Sequence, residues 1–260
     1  MNPIFRGRFA PENGVILSQI GHCIMDEPLV FMAGFLADAR LYGPQLTELG
    51  LERTVIHVPL VGDSVEDMAG HALQSLPARF ALTGHSLGGM VAMEILRTAP
   101  DRVTRIALMD TNAQAETPSA AAAREARIVG AKAGRLAESL AEELRPDGLA
   151  DSPDRDDIYR LWFQMGLDQG AENFVRQSRA MQRRPDQQPH LRRARLPALL
   201  LCGAEDRITP PRRHEFVAAL MLRADLALIE GAGHVPMLER PDLVTAALRE
   251  WLARPVDQVP

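Results

Sequence analysis

Apolar residues occur in short runs separated by stretches with helical spacing, and this alternation sets the architecture. Leu29–Met32 is an apolar run ending at Ala33-Gly34, and Arg53–Val58 carries the β-branched residues Thr54, Val55, Ile56 and Val58. Both are predicted strands. Over 63–76 the period changes: Val65, Met68, Ala69, Ala72, Leu73 and Leu76 fall on one helical stripe, opened by Asp63-Ser64 as a cap. Arg79–Thr83 predicts a third strand. Leu87–Ala99 predicts a helix striped by Val91, Ile95 and Leu96 and stopped by Pro100, and Val103–Met109 predicts a fourth strand. Further on, Pro197–Cys202 and Ala224–Ile229 read as strands, alternating with helices over Arg212–Leu222 and Pro241–Arg254. Leu17–Met25 reads as an antiparallel edge strand. The pattern predicts an α/β protein with a mostly parallel central sheet and helices on both faces.

The alternation is interrupted from about Gln114 to Arg195. That segment has no strand pattern but has helical stretches over Ala120–Leu144, Asp156–Gly166 and Ala171–Arg183, punctuated by prolines and Gly148. An all-helical insertion between two strands of one sheet reads as a lid. The predicted division is therefore a core of residues 1–113 and 196–260 with a lid at 114–195.

Composition narrows the field of functions. The 260 residues suit one large domain with an insertion. A net charge of −5 argues against a nucleic-acid partner. The longest apolar stretches, near Ala198–Cys202 and Leu29–Ala37, are far too short to span a membrane. Met1–Arg8 has no apolar run behind it, which predicts no secretory leader. The two cysteines, Cys23 and Cys202, supply neither a disulfide framework nor a metal cluster, and a reducing cytoplasm is the expected setting. Nothing in the sequence bears on oligomeric state.

Gly84-His85-Ser86-Leu87-Gly88 fits a G-x-S-x-G pattern between a predicted strand and a predicted helix. Such a turn reverses sharply, exposes the serine hydroxyl and places it over a helix N-terminus, where negative charge is stabilised. A serine needs a general base, and the base needs an orienting partner. Of seven histidines, His234 lies in the Gly-rich loop Gly231-Ala232-Gly233-His234 after a strand, placed to reach such a serine. His85 reads as a packed histidine, and His22, His57, His71, His190 and His214 read as structural or surface residues. Two acids, Asp110 and Asp206, follow strands on the same predicted edge, and the residues alone leave both open.

GHSLGG (84–89), LLLCGAEDRITPP (199–211) and GAGHVPMLERPD (231–242) together resemble the α/β-hydrolase superfamily, in particular its lidded single-domain bacterial members. The resemblance covers nearly the whole chain outside the insertion. It implies Ser86 as nucleophile, Asp206 as acid and His234 as base, with the backbone N–H groups of Phe35 and Leu87 as an oxyanion hole. Two departures stand out. Family members often carry His-Gly where this chain has Ala33-Gly34, and Val61-Gly62-Asp63-Ser64 replaces a usual Gly-x-Gly turn.

Serine at the elbow argues against dehalogenase or epoxide hydrolase chemistry, which places aspartate there, and suits an ester, thioester or lactone. The expected reaction is hydrolysis of a small carboxylic ester or lactone through an acyl-enzyme, with no cofactor or metal. Hydrolysis of a carbon–carbon bond in a diketone and slow-turnover reception of a small molecule are the alternatives. The insertion carries 27 of the 63 charged residues, which disfavours an apolar lid face for acting at a lipid interface. Trp162, Phe163, Met165 and Met237 are candidate substrate contacts. Arg176, Arg179, Arg183 and Arg184 read as a solvated face that could alternatively clamp a carboxylate.

Overall fold

The computed structural model describes residues 27–256. Six strands, β1 (Leu29–Met32), β2 (Val55–His57), β3 (Phe80–His85), β4 (Val103–Met109), β5 (Ala198–Gly203) and β6 (Ala224–Ile229), form one sheet in the order β2-β1-β3-β4-β5-β6. Every neighbouring pair is parallel. The strand expected over Leu17–Met25 lies outside the described residues.

Strands β1, β3, β4 and β5 are buried along their whole length, covered on both faces, which is why they read as unbroken apolar runs. Among the described residues β2 and β6 are the edge strands, and Leu226 and Leu228 of β6 stay exposed. β3 extends two residues past Thr83 because Gly84 and His85 continue to pair with Leu108 and Met109. The extra length carries the chain directly into the serine turn.

The helices are α1 (Gly43–Leu49), α2 (Val65–Ser75), α3 (Leu87–Thr98), α4 (Pro118–Lys132), α5 (Leu136–Glu143), α6 (Arg155–Arg183), α7 (Gln188–Leu191), α8 (Pro211–Leu220), α9 (Pro236–Glu239) and α10 (Pro241–Leu252). α2 starts as expected, because Ser64 Oγ accepts the Asp67 N–H at 3.0 Å. α10 buries Val244, Leu248 and Trp251 against the body. The buried Arg105 donates to the carbonyls of Trp251, Leu252 and Arg254 at 3.1, 2.6 and 2.9 Å, satisfying acceptors that a helix end leaves open.

Between β4 and β5 the described chain is helical, comprising α4 to α7 and a 3-10 turn over Pro146–Gly148. The stretch read as continuous over Ala120–Leu144 is two helices, broken where Gly134 takes φ +83°. The two stretches read over Asp156–Gly166 and Ala171–Arg183 meet in α6, at a kink where Gly170 takes φ 79° and ψ 170°. α4 packs on α5 and α6, and α6 in turn touches α2 and α9 of the body.

Candidate active site

Ser86 joins β3 to α3 with φ 49° and ψ −113°, a conformation strained for any residue with a side chain. The flanking glycines make the turn possible. A Cβ at Gly84 would lie 2.4 Å from the Gly88 carbonyl oxygen, and one at Gly88 would lie 2.2 Å from that of Met32. The serine is thereby held above the sheet edge, within the N-terminal field of α3.

His234 arrives from the loop after β6. Its Nε2 lies 3.2 Å from Ser86 Oγ, and its Nδ1 lies 2.9 Å from Asp206 Oδ2. With the proton on Nδ1, His234 donates to the carboxylate and accepts from the serine. Asp206 is fixed in turn: its Oδ1 accepts from Ile208 N (2.7 Å) and Thr209 N (3.0 Å), and its Oδ2 accepts from Thr209 Oγ1 (2.6 Å). Burial works against its charge, but His234 and the Thr209 donors outweigh burial and hold the carboxyl well below the usual carboxylate range.

Asp110 lies close by but is bonded differently. Its Oδ1 accepts from Gly203 N at 2.9 Å, and it makes no hydrogen bond to His234. Burial, reinforced by the Asp206 charge, pushes the Asp110 carboxyl well above the ordinary range. The two acids left open by the sequence therefore occupy separate environments.

The His234 loop is anchored to the segment 148–150. His234 N donates to Gly148 O at 2.7 Å. Glu239, from α9, accepts from Gly233 N (2.9 Å), Val235 N (3.0 Å) and Ala150 N (2.7 Å). His85 Nε2 donates to the His234 carbonyl at 2.7 Å, and burial with His234 nearby lowers the His85 pKa to about 3. A Cβ at position 34 would lie 2.5 Å from His85 Nδ1, so the Ala33-Gly34 turn is fitted to this ring. His214 accepts the Thr111 N–H at 2.9 Å, and burial lowers its pKa to about 4. Glu239 and Thr209 escaped the sequence reading, although D-R-I-T after a strand is the spacing of an aspartate that caps its own turn.

The N–H groups of Phe35 and Leu87 donate to no protein acceptor among the described residues. Next to Phe35, Leu36 takes φ 50°, and its N–H donates to Gln177 Oε1 at 2.7 Å. Gln177 is a buried residue of α6 that sequence reasoning also missed.

A cavity of about 250 Å³ opens at Ser86 and His234, walled by Phe35, Met90, Trp162 and Met181 among others. The Trp162 ring lies 5.9 Å from that of His234. Phe163, Met165 and Met237 are not in this wall. Phe163 packs on Tyr159, and Met165 and Met237 are fully buried in the core. The insertion arginines do not form a free clamp. Arg176 pairs with Asp63 and Glu172, Arg179 with Glu125, and Arg184 with Glu116, while Arg183 is exposed. A larger cavity, about 400 Å³, lies at the opposite ends of β4 and β5 and contains neither Ser86 nor His234.

A serine on a strained strand–helix turn, over a parallel sheet and against a histidine from a later strand end, defines the class: residues 22–247 match the Alpha/beta hydrolase family, and the chain belongs to it. Its six-stranded parallel sheet with helices on both faces is the α/β-hydrolase fold. Among its relatives is the pimeloyl-(acyl-carrier protein) methyl ester esterase of Neisseria meningitidis, 27% identical over 182 residues. That match takes in 68% of this chain and 58% of the esterase, so the chain spans little more than half that relative's length. A thermophilic esterase from Thermogutta terrifontis superposes with a TM-score of 0.78 at 27% identity, covering 87% of this chain and 89% of that one. The enol-lactonase of Burkholderia xenovorans LB400 shares the fold, with a TM-score of 0.77 at 21% identity over 88% of this chain and 92% of its own. Among the described residues, no helix is long and apolar enough to cross a membrane.

Proposed function

We propose that the chain hydrolyses a small carboxylic ester or lactone through an acyl-enzyme on Ser86. The observation that carries this reading is the chain of contacts from Ser86 Oγ to His234 Nε2 (3.2 Å) and from His234 Nδ1 to Asp206 (2.9 Å) in a buried pocket. In this reading His234 removes the serine proton as Oγ attacks the carbonyl. The resulting oxyanion takes up the free N–H groups of Phe35 and Leu87. Asp206 holds the imidazole in the required tautomer and stabilises the imidazolium. His234 then protonates the leaving alkoxide and afterwards activates the water that releases the acyl group. Residues 114–195 act as a lid over the core formed by 1–113 and 196–260, excluding bulk water during acylation. The Neisseria relative is named for cleaving a methyl ester, which supports an ester over a diketone.

Ser86→Ala should fold normally and lower kcat on a turned-over ester by about a thousandfold or more, since only oxyanion and binding contributions remain. A serine-reactive phosphonate should label Ser86 in the parent protein and label His234→Ala poorly. Labelling at another residue, or Ser86→Ala activity close to the parent's, would overturn the assignment.

A further inference from the structure

The cavity wall contains more charge than an ester needs, and its bonding is lopsided. Arg124, Arg184 and Arg213 face Glu116 and Glu143 around the space that opens at Ser86. Both carboxylates are engaged. Glu116 takes Arg124 at 3.2 Å and Arg184 at 3.1 Å, and Glu143 takes Arg124 at 2.6 Å and Arg127 at 2.7 Å. Arg184 also donates to the carbonyls of Gln114 (2.8 Å) and Met181 (3.0 Å). Arg213 is different. It stands in the first turn of α8, half-buried, and among the described residues its guanidinium has neither an ion-pair partner nor a hydrogen bond. Asn112, another wall residue, uses Oδ1 to accept from Gln114 N at 3.1 Å, and its amide NH₂ is left without a protein acceptor.

Arg213 and the Asn112 amide thus present unused donors to the cavity, and counting Arg127 on Glu143 four arginines face two glutamates, an excess of positive charge. A half-buried guanidinium without a counter-charge is held at a cost that an anionic ligand removes. A guanidinium fork matches the two oxygens of a carboxylate in one plane.

We propose that the substrate is a small ester carrying a free carboxylate at the end remote from the scissile bond, a half-ester of a short dicarboxylic acid being the simplest example, with Arg213 and Asn112 as the carboxylate subsite. The assignment rests on the ester-hydrolase reading for the reacting end of the molecule. The insertion arginines considered from the sequence do not serve this role, because Arg184 is consumed by Glu116 and two carbonyls.

The test compares monomethyl glutarate with methyl pentanoate, matched in chain length and differing in a terminal carboxylate or methyl, by proton release at constant pH. The parent enzyme should prefer the glutarate half-ester by about tenfold or more in kcat/KM, expressed chiefly in KM. Arg213→Met should bring that ratio close to one, and Arg213→Lys should leave it intermediate. Calorimetric binding of glutarate itself, a probe that needs no turnover, should weaken about tenfold or more in Arg213→Met. Hydrolysis of both esters without preference, or a preference that survives Arg213→Met, would overturn the subsite and leave the ester reading intact. Glutarate binding that depends on Arg213 with neither ester hydrolysed would keep the subsite and overturn the ester reading. No hydrolysis and no binding would overturn both.

Discussion

Two carboxyl groups buried side by side cannot both carry charge without compensation, and Asp206 and Asp110 resolve this unequally. Asp206 collects three donors besides His234, whereas Asp110 accepts from Gly203 N and, among the described residues, its Oδ2 has no hydrogen-bond partner. Asp206→Asn should therefore lower kcat by about a thousandfold or more by disturbing the His234 tautomer, whereas Asp110→Asn should retain most activity. Steady-state kinetics on one ester decides between them, and the opposite ranking would reverse the roles. Stability should separate the two acids as well. The folded chain holds the Asp110 proton to higher pH than the unfolded chain, which loses it above about pH 4. This group therefore makes stability fall as pH rises above about 4. Asp110→Asn should melt increasingly above the parent as pH is raised above about 4, with the two converging at acid pH. Asp206 has the opposite sign: its contribution is present above the ordinary carboxylate range and is lost as pH falls below it. From sequence alone both acids follow strands on the same edge. What separates them is which one meets His234 Nδ1, a contact spanning 28 positions, together with the capping turn at Asp206–Thr209.

At the scale of elements, the insertion braces the turn after β1 through one buried side chain. Gln177 of α6 accepts the N–H of Leu36, beside the Phe35 amide, and so fixes the turn after β1. Gln177→Leu keeps the bulk but leaves that N–H buried without an acceptor. The expected result is a fall in kcat of about tenfold with little change in KM, because the misplaced donor matters most when the oxyanion forms. An unchanged kcat would show that the turn holds its shape without α6. The four central strands and the helices α2, α3, α8 and α10 were legible because parallel strands buried on both faces are uniformly apolar and such helices keep one stripe, whereas the short helices α1 and α9 were not. The insertion was legible as helical but not in its facing. Trp162 reaches the cavity while Phe163 and Met165, one and three positions on, turn into packing. The rotation of a helix kinked at Gly170 is set by what it packs against, not by the size of its side chains.

For the whole molecule, the size of the cavity at Ser86 bears on which substrates fit. A cavity of about 250 Å³ accommodates a compact acyl group, so kcat/KM across a series of linear esters should peak at short chains and decline toward long ones. A steady rise to long acyl chains would contradict the size limit while leaving the Ser86 assignment untouched. That the site lies at the C-terminal ends of the strands followed from the α/β pattern. The ionic wall did not, because its pairs join residues distant in sequence: Glu116 with Arg184 and Arg124 with Glu143. The anchoring of the His234 loop has a further consequence, which concerns timing. Gly148 O and Ala150 N hold that loop directly and through Glu239, and they belong to the same connection that leads into α6. An outward movement of residues 148–150 would therefore strip the His234 loop of these anchors at the same moment.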